Sequence, residues 1–249
     1  MSALILALVA GAVVGLALGA LGGGGSVLAV PALIYLLGFT PAAAATASLI
    51  IVTATSLTAL YAHARTGNVR WKAGALFAAA GLLPAAAAGA AATRLPQSLL
   101  TAAFAAVAAL AAVKMLRPDQ TGGDRTATVR LAKAAGTGAG LGALTGLLGV
   151  GGGFLAVPAL VTVLAFEMQA AVGTSLLVIS ANSLASLATR GATTAGIHWA
   201  VVGPFAGAAI LGAWDGKRLA AKVTGTLLQL AFAVVLLAVA AFMFTDALT

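Results

Sequence analysis

The polar chemistry of this 249-residue chain is concentrated at two places that lie 127 residues apart. At the first, Gly22, Gly23, Gly24 and Gly25 precede Ser26; at the second, Gly149, Val150, Gly151, Gly152 and Gly153 occupy the matching positions. A glycine run that opens a helix presents the first N–H groups of that helix, unobstructed by side chains, at the positive end of its dipole. Such a feature can hold an anion. Hydroxyl and amide side chains follow each run: Thr46, Ser48, Thr53, Thr55 and Ser56 after the first, Thr174, Ser175, Ser180, Asn182 and Ser183 after the second. They can replace the hydration shell of an oxyanion without adding negative charge.

The candidate binding residues are therefore Gly22, Gly24, Gly25, Ser26, Ser48 and Ser56 from the first segment. From the second they are Gly149, Gly151, Gly152, Gly153, Ser175, Asn182 and Ser183. Ser48 with Ser175, and Ser56 with Ser183, are preferred because they recur. His63 and Arg190 close the two segments at equivalent positions and are candidates for gating or anion attraction. Each feature alone has a plainer use. Small residues let membrane helices approach, hydroxyls cross-link them, and long basic side chains snorkel to the interface. Recurrence of the whole set is what favours a site.

The remaining inventory narrows the chemistry. Without cysteine there is no disulfide, thiolate nucleophile or thiolate metal site. Glu167 falls at a turn, Asp215 at a helix end, and Asp119, Asp124 and Asp246 in polar segments, so the apolar stretches carry no carboxylate relay for protons or sodium. Ser26 with His63 or His198 could be cast as nucleophile and base. Yet the second copy has Gly153 in place of Ser26, and no acid is placed to orient a histidine. No Lys-Ser or Lys-Thr follows the glycines, as a nucleotide loop would need. A non-enzymatic protein without cofactor or metal is expected.

The elements that position these residues are set by hydropathy. Apolar residues make up 62% of the chain and charged ones 7%, which leaves too few polar groups to cover a soluble globule. The net charge of +8 then reads as the basic excess of cytoplasmic loops, not as affinity for nucleic acid. The first apolar stretch lacks a basic leader and its glycine segment recurs, so it reads as mature structure. An all-α integral membrane fold is expected, one membrane domain over 1–249: repeat 1 at about 1–116, a linker at about 117–130 and repeat 2 at about 131–249.

Gly19 to His63 aligns without a gap on Gly146 to Arg190, identical at 21 of 45 positions, and Leu28 to Leu33 repeats unchanged as Leu155 to Leu160. Each repeat reads as five helical segments: a full helix, a half-helix after the glycine break, and three further helices. The first helices are placed at about Ala3 to Leu21 and Leu131 to Leu148, the half-helices at Ser26 to Leu37 and Gly153 to Ala165, and the fourth segment of repeat 2 at His198 to Trp214. If the half-helix carries the chain across the membrane, the repeats are inverted, and 11 Lys and Arg lie on the linker's side against Arg94 and Arg190. If it turns back, the split is nine against four. The positive-inside rule favours the inverted arrangement, with the linker cytoplasmic.

The Gly-x-Gly-Gly and Ala-Val-Pro-Ala-Leu segments of both copies, the Ser-Leu clusters after them, and Trp71 and Trp199 resemble the TauE/SafE family of sulfite and organosulfonate exporters. The resemblance covers nearly the whole chain. It implies a multi-pass permease of the bacterial inner (plasma) membrane that exports small sulfur-containing anions such as sulfite, sulfoacetate or other organosulfonates. The anion would bind near the membrane middle at the two half-helix N-termini. The partners are then a small inorganic or organic anion and the lipid bilayer, with a homodimer left open. An anion channel would use the same glycine breaks, and an intramembrane enzyme is the alternative of another class. Val150 replaces Gly23 and Gly153 replaces Ser26, so the two half-sites are not equivalent.

Overall fold

The computed structural model describes residues 2–92, 97–116, 131–148, 153–190 and 198–248, and nearly all of them are helical. Helix α1 spans Ser2–Leu21, and α2 spans Gly23–Pro31 and continues as a π-helical turn, Ala32–Leu36. Helices α3 (Pro41–Ala64), α4 (Trp71–Ala92) and α5 (Gln97–Leu116) complete the first half. The second comprises α6 (Leu131–Leu148), α7 (Gly153–Thr162), α8 (Met168–Arg190), α9 (Trp199–Ala220) and α10 (Gly225–Leu248). Five of these, α1, α3, α4, α8 and α10, are long and apolar enough to cross a bilayer. The protein is an all-helical, multi-pass membrane protein.

Local chemistry explains the boundaries. Thr40 caps α3 by accepting a hydrogen bond from the Ala43 N–H at 3.4 Å, and Pro41 occupies the first helical position, where no N–H is needed. Two expected boundaries are corrected. Helix α2 begins at Gly23, because only Gly22 leaves helical geometry (φ 66°, ψ −119°) while Gly23 to Gly25 form the first turn. Glycine permits a break without enforcing one. Helix α9 continues past Trp214 to Ala220, because charge is excluded from hydrocarbon and not from helices. Arg218 pairs with Asp215 one turn back at 3.4 Å, and Lys217 and Arg218 suit the negative end of the dipole.

The two short helices end alike. Gly38 (φ 69°) and Ala165 (φ 54°) each take a left-handed conformation. The following phenylalanine N–H, of Phe39 or Phe166, then returns to the carbonyl of Leu33 or Leu160, at 3.0 Å in both cases. These residues correspond one to one under the 127-residue offset.

Small residues weld the helices into pairs. A Cβ at Gly11, Gly15 or Gly19 of α1 would overlap the carbonyl oxygens of Phe205, Ala209 and Ala213 of α9 respectively, so the two backbones touch and run in the same direction. Helix α6 meets α4 in the same way, Gly138 against Phe77 and Gly142 against Gly81. Van der Waals contact between bare backbones is the dominant association force where lipid tails are as apolar as the side chains.

Directions follow from contacts at the helix ends. His63 near the end of α3 bonds the Gly19 carbonyl near the end of α1 at 3.2 Å, and the Gln169 amide at the start of α8 reaches the Ala220 carbonyl closing α9 at 3.5 Å. At the opposite end the ring of Phe39, ahead of α3, meets that of His198, ahead of α9, at 5.8 Å. Helices α1, α3 and α9 thus run one way and α4, α6 and α8 the other. One end of the bundle gathers Arg65, Arg70, Lys72, Lys114, Lys133, Lys217, Arg218 and Lys222; it is called the basic end below.

A Gly15→Val substitution must separate α1 from α9 and is expected to cost about 1–3 kcal/mol, read as a lower thermal unfolding midpoint in detergent. Gly207→Val on α9, where nothing lies within 4 Å, is expected to leave the midpoint unchanged.

Candidate functional site

The break between α1 and α2 lies inside the protein. Gly22 is buried, its N–H returns to the Leu18 carbonyl at 2.8 Å, and it offers no side-chain cap to α2. The positive end of the α2 dipole lies at this break. Facing Gly22 are groups from the other half of the chain. A Cβ at Gly22 would stand 2.6 Å from the Ser175 hydroxyl of α8, 3.2 Å from the Val172 carbonyl and 3.3 Å from the Val157 side chain of α7. Ser175 is seven residues into α8 from the basic end, a depth of about 10 Å at 1.5 Å per residue.

His63 completes the backbone accounting around the break. Its Nε2 lies 3.2 Å from the Gly19 carbonyl, three residues before Gly22. As the carbonyl can only accept, Nε2 carries the proton. The ring is 2% exposed, and its Nδ1 is buried without a hydrogen-bond partner.

The hydroxyl cluster lies where α3 and α8 cross antiparallel. Ser48, Thr53, Thr55 and Ser56 of α3 and Thr174, Ser175, Ser180 and Ser183 of α8 are all buried, and Asn182 is half-buried; Thr174 faces the start of α4, accepting from the Arg70 N–H at 3.1 Å. Most of their protons are already engaged by their own helices. Ser48 donates to the Ala45 carbonyl at 2.9 Å and Ser175 to Val172 at 2.8 Å; Thr53 donates to Leu49 at 2.6 Å, and Thr55 to Ile51. A bond between the Ser180 and Ser56 hydroxyls, at 2.9 Å, crosses the interface. In this arrangement the hydroxyls present lone pairs to the interior. To meet an anion they must rotate their protons away from the helix.

The TauE/SafE family profile, described as a sulfite exporter, matches residues 7–243. The chain belongs to the TauE/SafE family. Two proteins named "Probable membrane transporter protein", from Xylella fastidiosa strain Temecula1 and from a second strain of that species, are each 32% identical to it over 246 residues, 96% of this chain and 94% of theirs. No solved structure matches it.

For this TauE/SafE transporter, the positions singled out by sequence distribute as follows. Gly22, Ser175 and His63 converge at the break, Ser56 meets Ser180 where α3 and α8 cross, and Ser48 of α3 and Ser183 of α8 are buried, with Asn182 half-buried. Gly24, Gly25 and Ser26 lie in the first turn of α2 and Gly153 opens α7. Gly149, Gly151 and Gly152 lie outside the described residues, as does the side chain of Arg190, whose backbone ends α8. The Ser56–Ser180 contact and the approach of Val157 to Gly22 went unforeseen. Sequence offset pairs Ser56 with Ser183, whereas an antiparallel crossing brings together residues that the offset does not match.

Gly22→Ala is expected to destabilise the protein by about 1–3 kcal/mol, since an alanine at φ 66° is strained and meets Ser175. Adding Ser175→Ala should recover part of that loss in a double-mutant cycle read by thermal unfolding. Strictly additive losses would show that the two residues do not meet.

Proposed function

We propose that the protein exports a small sulfur oxyanion, such as sulfite, sulfoacetate or another organosulfonate, binding it between the Gly22 break and the Ser175 hydroxyl. The observation that carries this reading is that a helix break from one half and a hydroxyl from the other stand face to face. Family membership supports the substrate class. The positive end of the half-helix dipole favours negative charge there, and the hydroxyls add donors once rotated.

The space between Gly22 and Ser175 does not hold even a methyl group, so the site is closed in this conformation and must open to admit an anion. The opposed directions of α1 and α6, and of α4 and α9, fit two inverted repeats. The gathering of Lys and Arg at one end fits a cytoplasmic placement of that end and of the linker at 117–130 in a bacterial inner membrane. An inside-negative potential of about 100 mV drives each exported negative charge with roughly 2.3 kcal/mol, close to a fiftyfold gradient. Among the described residues Glu167 and Asp215 are exposed and no carboxylate enters the bundle core, which fits export driven by the potential alone.

Purified protein in liposomes, given sulfite, sulfoacetate, taurine, sulfate or chloride under an imposed potential, tests the reading. Expected is a saturable, potential-sensitive flux of sulfite or a sulfonate, with counterflow, reduced roughly ten- to hundredfold by Ser175→Ala through loss of one hydrogen bond to a charged ligand. Flux that neither saturates nor shows counterflow would make the protein a channel. Leakage of every anion at the rate of empty liposomes would remove the sulfonate assignment.

A further inference from the structure

At the basic end, where α3 and α9 finish side by side, a half-open cavity of about 340 Å³ is lined by Ala62, Arg65, Thr66, Trp214, Lys217 and Arg218. Three of the six residues are cations and none is an anion. Asp215, one turn back on α9, engages Arg218 at 3.4 Å on the exposed side, and it does not line the cavity. The cavity therefore keeps a net positive charge in a recess, with Asp215 offsetting only part of the charge of Arg218.

Toward the membrane interior the surface on both sides of this recess turns apolar. On α3 the stripe that ends in Arg65 passes through Tyr61 and Leu57, 58% and 43% exposed; on α9 the stripe that ends in Arg218 passes through Leu211, 70% exposed. The Arg65 guanidinium lies 5.9 Å from the centre of the Tyr61 ring, and Trp214 lines the recess opposite. Aromatic side chains with one polar end collect at the level where headgroups meet acyl chains. A soluble anion needs only the cations. A phospholipid needs the cations and the apolar stripes together, and each of the two helices that supply the cations also carries exposed apolar side chains one or two turns inward.

We propose that this cavity is a binding site for the phosphate group of an anionic phospholipid. Arg65, Lys217 and Arg218 donate charge-assisted hydrogen bonds to the phosphate oxygens, and the acyl chains lie against Tyr61, Leu57 and Leu211. Because α3 and α9 come from different halves of the chain, a lipid held here bridges the halves at the basic end and stabilises their association. The site is separate from the Gly22 break and does not depend on which anion is transported.

Native mass spectrometry of the full chain, with phosphatidylglycerol and phosphatidylcholine as competing ligands, tests the proposal. The wild type is expected to retain phosphatidylglycerol preferentially, and Arg65→Gln with Lys217→Gln to weaken retention by about fivefold for each charge removed. Lys114→Gln with Lys133→Gln, at the same end but outside the cavity, should change nothing. Phosphatidylglycerol should also raise the thermal unfolding midpoint of the wild type and not that of the cavity variant. If the double variant does not fold, Arg218→Gln alone, an exposed position, should still show the fivefold loss. Undiminished retention in the cavity variant, equal binding of phosphatidylcholine, or equal losses in the control variant would each overturn the proposal. So would displacement of the lipid by millimolar inorganic phosphate, which would assign the cavity to a soluble anion.

Discussion

A polypeptide inside hydrocarbon cannot leave its N–H and C=O groups unpaired, and the break in helical geometry at Gly22 governs what surrounds it. At Gly22 the α-helical ladder stops and restarts within one residue. The carbonyl of Leu18 is met by the Gly22 N–H and that of Gly19 by the His63 imidazole. The break is walled by Val157 of α7 and by Ser175 of α8, so it is covered by protein on the side where a side chain would project. Removing the cover would expose polar backbone to lipid. The glycine seam between α1 and α9 holds the end of α1 in place for this purpose.

The bundle combines two kinds of interface. The pairs α1–α9 and α4–α6 are locked backbone to backbone, where a displacement of even a methyl group's width is resisted sterically. The α3–α8 crossing is joined by hydroxyls that bond to their own helices and, at Ser180 and Ser56, to each other. Such bonds exchange partners by rotation about a single torsion, at little cost. Opening of the buried region next to Gly22 is therefore expected along α3–α8, with the glycine-locked pairs moving as units.

Much of this was legible in the sequence. Hydropathy marked the long apolar helices, and the glycine run marked a break before a short helix, because both depend on local composition. The family resemblance also rested on local motifs, Ala-Val-Pro-Ala-Leu and its surroundings in each copy. What was not legible depends on tertiary contact. Four consecutive glycines gave no sign that Gly22 alone would turn, nor that Ser175 and Val172 would stand beside it, leaving no room for a side chain. Asp215, Lys217 and Arg218 looked like a helix end because they leave the membrane, yet the helix outlasts the hydrocarbon. The basic lining of the recess between α3 and α9 looked like ordinary loop charge until Arg65 and Lys217, distant in sequence, were seen to share it.

The arrangement rests on α2 and its π-turn carrying the chain from the Gly22 break to the end opposite the basic one. The chain has no cysteine, so single cysteines can be placed at Thr66 and Thr224 on the basic end, and at Thr40 and His198 on the other, all exposed positions. A membrane-impermeant maleimide is applied to sealed vesicles of known orientation before and after permeabilisation. Labelling of Thr66→Cys and Thr224→Cys from one side, and of Thr40→Cys and His198→Cys from the other, is the result this architecture predicts. Labelling of Thr40→Cys from the same side as Thr66→Cys would mean that the short helix turns back, and would contradict it.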